Sequence, residues 1–535
     1  LTDDPCVDRP FGNTAVPLRK NLHVTSGAFM KQASYLEKNL NVLKVNSPVM
    51  HQGFLQAAPF SPLALTAEGV LWTRGLTASR IADGAEAEEK ARQLASANPK
   101  ILLMGAGEGN WVQAALEAGG HVIVWDRHPG SLGPMLEQHD LRPALREGRL
   151  QLCATVDVLE HASLPRLAHP QLKSVYASEI TLLDRLDAPR ALMVDGTLFV
   201  DDVSEALEDL GWGVFRWETG ALAPEELERV ARTVDARVVV AVNHIQGLAE
   251  ACAHLGVPLV EWEIDPSTDH LVPATQGATA TVLTWRRAHV PLYEAAGYRG
   301  AHLPLATNPR RRRPVSRNQG ETSTYDVPLS YVGSSMRERG TELLNAFIRA
   351  FAHVYQDADG AESAAREIAQ TTLELQRGAG RRYVVPEVLH HVAPDLHERF
   401  AHAGLTDRPD AMLGEAAAAE YRLRTLASLG PLGLHVWGDP GWQPLEAHGV
   451  TYRGWAGHFI ELNHIYDSRA IHIDVGRLYQ LDTVPMRVFD VLACGGFIIA
   501  EHSEDLASCF EIGVEIESWD SPEELEAKCR YYLEH

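Results

Sequence analysis

Short apolar runs that end at a glycine or an acid and lead into a helix-length segment recur along this chain. That alternation of strand, turn and helix is the sequence sign of parallel α/β layers. Lys100–Met104, Ala191–Val194, Leu259–Ile264, Leu329–Val332 and Phe497–Ala500 are such runs. With 535 residues the chain exceeds what one hydrophobic core organises. The pattern predicts an α/β protein of three Rossmann-like modules, at residues 1–185, 186–315 and 327–535, with 316–326 as a linker. Within the last module, about 357–429 is rich in Ala, Glu, Arg and Leu and reads as a helical excursion.

A hydrophobic content of 45% and a charged content of 22% are ordinary for a globular protein. A formal net charge of −23 argues against a nucleic-acid surface. It does not exclude an anionic small ligand, because a phosphate site needs only a few local donors. Six cysteines with no CxxC pair point to a reducing compartment and no structural zinc. No apolar run approaches the roughly 20 residues that span a bilayer, and LTDDPCVDRPFGN lacks a signal-peptide pattern. A cytoplasmic protein with no transmembrane segment is expected, with a trimmed N-terminus left open by the absent initiator methionine.

In the first module, Lys100–Met104 runs into Gly105-Ala106-Gly107-Glu108-Gly109, a helix Trp111–Ala118, and a second strand, His121–Trp125, ending at Asp126. This is a nucleotide-binding fingerprint, and GAGEG also resembles the turn that holds S-adenosylmethionine in methyltransferases. The competing reading is that the glycines only let helix and strand pack closely. In the second module, Arg237–Val242 ends at Asn243-His244 and Leu259–Ile264 ends at Asp265, with Thr281–Thr284 and Ala301–Leu305 as further strands. Ligands of open α/β sheets sit beyond the carboxyl ends of strands, so these polar residues stand where chemistry belongs. A single one of them is more often a turn or cap residue.

Asn308–Asp326 is polar, and its Arg310–Arg313 run would suit a phosphate, although a solvated charge run is the better reading. The third module opens with Leu329–Val332, then Gly333-Ser334-Ser335-Met336-Arg337 and a helix, Thr341–Tyr355. A glycine–serine turn at a helix start offers N–H groups and the positive dipole end to a diphosphate, with Arg337 and Arg339 as added donors. Leu434–Trp437 runs into Gly438-Asp439, and Ala470–Val475 is a further strand. In VPMRVFDVLACGGFIIAE (Val484–Glu501), Arg487 and Asp490 lie on an amphipathic helix that Gly495-Gly496 ends before a buried strand. Asp490 is well placed to hold ribose or sugar hydroxyls. An exposed Asp490–Arg487 pair is the plain alternative.

No G-x-S-x-G, H-E-x-x-H or P-loop motif is present, the histidines lack ligand spacing, and no metal is expected. Two α/β domains across a linker suit a nucleotide diphosphate held in a cleft. Over about residues 190–535 the sequence resembles the CgeB-like (spore-maturation-protein) glycosyltransferases of the GT-B class. The resemblance rests on RVFDVLACGGFIIAEHSEDLASCFEIGVEI (Arg487–Ile516) followed by SPEEL, and on VPLSYVGSSMRERGTELL (Val327–Leu344). LHVWGDPGW (Leu434–Trp442), HLPLATNP (His302–Pro309) and the segment around WEIDP (Trp262–Pro266) add to it.

The resemblance implies that the last two modules form a GT-B pair acting on a UDP-, GDP- or dTDP-sugar. The acceptor would be a protein, a polysaccharide or a small molecule. Asp482 and Asp490 match two glutamates, seven residues between them, that in related retaining enzymes contact the transferred sugar and the ribose. Both are shortened to aspartate here. Gly333, Ser334 and Arg337 match the phosphate turn, with Ser335 beside them, and Gly495 and Gly496 flank the nucleotide. Gly438 and Arg487 complete the donor-site candidates. The leaving diphosphate would be stabilised without a metal. An inverting route would use Asp265 or His244 as base, whereas a retaining route needs none. The first module resembles the methyltransferase-like amino-terminal region of some bacterial members, and Tyr531–His535 leads in that group into further helix. Two rivals remain: an S-adenosylmethionine-dependent methyltransferase using the first module, and a non-catalytic carbohydrate- or partner-binding scaffold.

Overall fold

The computed structural model describes residues 34–535 apart from 75–76, 197–198, 218–223, 265–270, 276, 278–279, 316–322, 356–359, 406, 459 and 481. The fold is α/β, built from Rossmann-like parallel sheets. Its described residues fall into two compact units, one reaching Thr284 and including His289–Ala301, the other comprising Trp285–Ala288 and His302–His535.

The first unit begins with an antiparallel meander of β1 (Leu63–Thr66), β2 (Gly69–Arg74) and β3 (Thr77–Ile81). Strands β4 (Lys100–Met104), β5 (His121–Asp126), β6 (Leu150–Ala154) and β7 (Arg166–Ala168) follow and form a parallel sheet ordered β6-β5-β4-β7. A larger sheet uses β8 (Arg190–Val194), β9 (Gly213–Trp217), β10 (Val238–Val242), β11 (Leu259–Glu263), β12 (Ala280–Thr284) and β13 (Arg299–His302), ordered β13-β12-β11-β10-β8-β9. The division expected at 185/186 falls inside this unit, for a physical reason. Met104, Ile123 and Trp125 of one sheet share an apolar core with Leu192, Phe215 and Val239 of the other. Arg127 adds a buried two-pronged pair with Glu179, at 2.7 Å on each prong. Burial of that shared surface makes one cooperative body of two sequence modules.

The second unit carries β14 (Leu329–Val332), β15 (Leu434–Trp437), β16 (Thr451–Tyr452), β17 (Ile471–Ile473), β18 (Phe497–Glu501) and β19 (Glu517–Trp519). Their order is β16-β15-β14-β17-β18-β19 and every neighbouring pair is parallel. In chain order this is 3-2-1-4-5-6, the doubly wound arrangement, with its reversal between β14 and β17. Both faces of such a sheet are covered, which is why these strands read as unbroken apolar runs. The excursion forms helices Ala361–Ala379, Val385–Val392, Leu396–His402 and Pro409–Ser428.

The helix expected from Thr341 begins earlier, at Arg337, because Met336 turns the chain at φ 61° and Ser335 Oγ accepts from the Arg337 N–H at 3.2 Å. Among the described residues no helix is long and apolar enough to cross a membrane. Cys153, Cys252, Cys494, Cys509 and Cys529 are free thiols.

Candidate functional site

The reversal between β14 and β17 is where a sheet of this order opens a crevice at its carboxyl edge. Gly333 and Ser334 leave β14 there, and Asp474, Val475 and Gly476 leave β17. Arg487, from helix Met486–Ala493, donates Nε to the Val332 carbonyl at 2.6 Å, pairs with Asp474 and lies over the Tyr331 ring. Its guanidinium therefore ties strand ends together. Gly333 makes room for it, since a Cβ there would stand 2.5 Å from Arg487 Nη2. Gly438 serves a similar close approach, because a Cβ would land on the Gly333 carbonyl oxygen.

Ser335 is wholly buried, and Asp439 at the end of β15 accepts from both its N–H at 2.6 Å and its hydroxyl at 2.5 Å. Asp439 also accepts from the Gly441 N–H at 2.9 Å. A carboxylate of the protein thus occupies the anion position at the helix start, the place where the helix dipole favours negative charge. Both polar groups of Ser335 named here are thus taken up by Asp439. The open edge of the turn is Gly333, Ser334 and the exposed Arg337.

Asp490 is buried, and Arg487 is not its partner. Arg312 donates Nε to Asp490 Oδ2 at 3.0 Å, and the Thr307 hydroxyl donates to Oδ1 at 2.6 Å. Arg312 also donates to the His458 carbonyl at 2.8 Å and is itself buried. One member of the Arg310–Arg313 run is thus an internal counter-ion, not a solvated charge. Gly495, at φ 82°, ends the helix, and Gly496 lies where a Cβ would strike the Tyr466 carbonyl oxygen. Asp482 is a third exposed. Arg286 donates to its Oδ1 at 2.9 Å, while Oδ2 has no partner among the described residues.

In the first unit, His244 follows β10 with Nδ1 2.7 Å from Glu261 and, among the described residues, no partner for Nε2. The ring packs edge-on to Tyr293 and Tyr298 and is buried. Burial disfavours its charged form, yet the bond to Glu261 and that carboxylate's charge outweigh this and raise its pKa. His244 is therefore paired internally with Glu261. Asp265 lies outside the described residues. Asn243 Oδ1 accepts from the Ile264 N–H at 2.9 Å. Glu263, which the sequence reading missed, is fully buried beside Thr284 and His289. Burial pushes its pKa up, but bonds from His289 and Thr284 bring it below the ordinary carboxylate value.

The glycine turn of the first module is filled by its own chain. Asp83 accepts from the N–H groups of Glu108 at 2.8 Å and Trp111 at 3.1 Å, and His169 Nε2 lies 3.1 Å from it. Asp126, the acid expected to meet a ribose, accepts from the Tyr176 hydroxyl at 2.7 Å and the His128 N–H at 3.1 Å. Burial pushes its pKa up to about 6. A Cβ on Gly105 would stand 2.8 Å from the Tyr176 ring. These glycines therefore admit protein side chains, the close-packing alternative to a nucleotide cradle.

The residues missed by sequence reading share one property: they converge from remote positions. Arg286 and Arg422 carry no local motif, and the run that holds Arg312 does not show which acid it meets. Their partners lie 196, 178 and 88 or fewer residues away. No curated protein matches the chain. Residues 417–535, which include Asp439, Asp474, Asp482, Arg487 and Asp490, match the family described as Glycosyl transferase-like, and this similarity supports a glycosyltransferase.

Proposed function

We propose that the chain moves a sugar from a nucleotide-diphosphate donor, UDP-, GDP- or dTDP-linked, to an acceptor that is a protein, a polysaccharide or a small molecule. One observation carries this: the segment similar to glycosyl transferase-like proteins contributes β15 to β19, and with them the β17 side of the β14/β17 reversal. The diphosphate would lie along Gly333, Ser334 and Arg337, its charge met by N–H groups and cations without a metal. Asp482 would face the sugar, held by Arg286 with Oδ2 toward the ligand. Asp490 would take a ribose hydroxyl in place of the Thr307 hydroxyl on Oδ1. The motif Arg487–Ile516 supports the finer CgeB-like placement, and the free thiols support a reducing, cytoplasmic setting.

Thermal-shift and calorimetric titration with UDP, GDP and dTDP, followed by assay of slow donor hydrolysis, tests this reading. One nucleoside diphosphate is expected to raise the melting temperature and its sugar to be hydrolysed. No shift and no hydrolysis across the panel would refute the proposal. Binding without hydrolysis would favour the scaffold reading, which the internal Arg312–Asp490 pair supports.

A further inference from the structure

Several buried or half-buried arginines of the second unit meet a carboxylate: Arg312 meets Asp490, Arg487 meets Asp474, and Arg381 meets Glu501. Arg422, on helix Pro409–Ser428, does not. It is 6% exposed, and among the described residues none of its nitrogens lies within ion-pair distance of an acid. Its Nη1 donates to the Ser334 carbonyl at 2.9 Å. Its Nη2 donates to the carbonyls of Val475 and Gly476, each at 3.1 Å. Its Nε has no partner among the described residues.

A guanidinium removed from water is costly unless an opposite charge meets it, and carbonyl dipoles relieve only part of that cost. The carbonyls it holds belong to the two loops that flank the β14/β17 reversal, one on either side. A positive charge has thus been buried, unpaired, where an open sheet of this order receives its ligand. Diphosphate is the ligand chemistry that would complete it, since charge-assisted contacts strengthen in a dry crevice.

We infer that Arg422 is the fixed cation of the donor site, compensated by the diphosphate of a bound nucleotide, and that its bonds to Ser334, Val475 and Gly476 hold the two loops at the spacing the diphosphate requires. This rests on the glycosyltransferase reading for the identity of the ligand. Arg424, two residues on, is exposed and takes no part.

Calorimetry with UDP, uridine and pyrophosphate (or the matching pair for whichever base binds) on the wild type, Arg422→Met and Arg422→Lys tests the inference. Arg422→Met is expected to lose at least about tenfold in UDP affinity with uridine affinity unchanged, and to show a weaker salt dependence of UDP binding. Arg422→Lys, with the charge kept and the fork lost, is expected to retain most of the preference for UDP over uridine. An equal loss for UDP and uridine marks a merely structural arginine and overturns the inference, as does no loss at all. If Arg422→Met does not fold, the UDP-to-uridine ratio of Arg422→Lys decides by the same criterion. A wild type that binds no nucleoside diphosphate refutes the donor reading separately. Pyrophosphate protection lost in the variants would then still support the cation, and no pyrophosphate protection overturns both.

Discussion

Arg312 and Asp490 meet at 3.0 Å across 178 positions of sequence, with their side chains only 5% and 9% exposed. Breaking a buried pair from one side strands the other charge, at a cost of about 3–5 kcal/mol. Arg312→Met and Asp490→Asn should each destabilise by that order in urea denaturation. The double variant Arg312→Met/Asp490→Leu should cost less than the sum, because no lone charge is left. Single-variant losses below about 1 kcal/mol would show that the pair is not structural. Asp490→Ala should also weaken nucleotide binding, and unchanged affinity in calorimetry would remove the ribose assignment.

Ser335 and Asp439 make a separable case. Ser335→Ala removes one neutral-to-charged bond at a helix start and should lower stability by about 1–2 kcal/mol. UDP affinity should stay at the wild-type value, because the hydroxyl faces Asp439 and not the crevice edge. A variant that keeps its melting temperature yet loses UDP would restore Ser335 to the ligand set.

His472, in β17, is buried with Nδ1 2.5 Å from Ser330 Oγ, and burial pushes its pKa down from 6.5 to about 4. The folded value lies below the unfolded one, so the neutral ring contributes its full stability above pH 6.5. That contribution is lost as pH falls through 6.5 toward about 4, on the order of 3 kcal/mol in all. Asp126 works in the opposite sense: its stability is full below pH 3.8 and is lost as pH rises through about 6. Denaturation of the wild type, His472→Gln and Asp126→Asn at pH 7 and pH 4.5 checks both signs. The histidine variant should lose less on acidification than the wild type, and the asparagine variant should lose more.

Asp83 fills the turn that a cofactor would need in the first module. S-adenosylmethionine should leave the melting temperature of the wild type unchanged. Asp83→Ala should destabilise by about 1–3 kcal/mol, as two buried N–H groups lose their acceptor. A clear S-adenosylmethionine shift in the wild type, abolished in Gly107→Val, would revive the methyltransferase reading.

Strands buried on both faces were legible because their apolar runs are continuous. Lys100–Met104, Leu329–Val332 and Leu434–Trp437 coincide with observed strands. The meander β1–β3 carries no such signal, since β1 buries only Leu63. The glycines at 333, 438, 495 and 496 were also readable as places where the backbone turns or approaches closely. The core shared by Trp125 and Phe215 was not, because contacts between remote positions leave no local mark.

Periodicity and turn residues thus settled the α/β class and the turn that follows β14, because those properties are local to a few successive residues. Packing assigned the partners. Asp490 went to Arg312, Asp439 to Ser335 and Asp83 to the first glycine turn, while Arg422 was left without an acid among the described residues. The role of a charge depends on which opposite charge the fold brings within about 3 Å of it, and spacing along the chain carries no information about that.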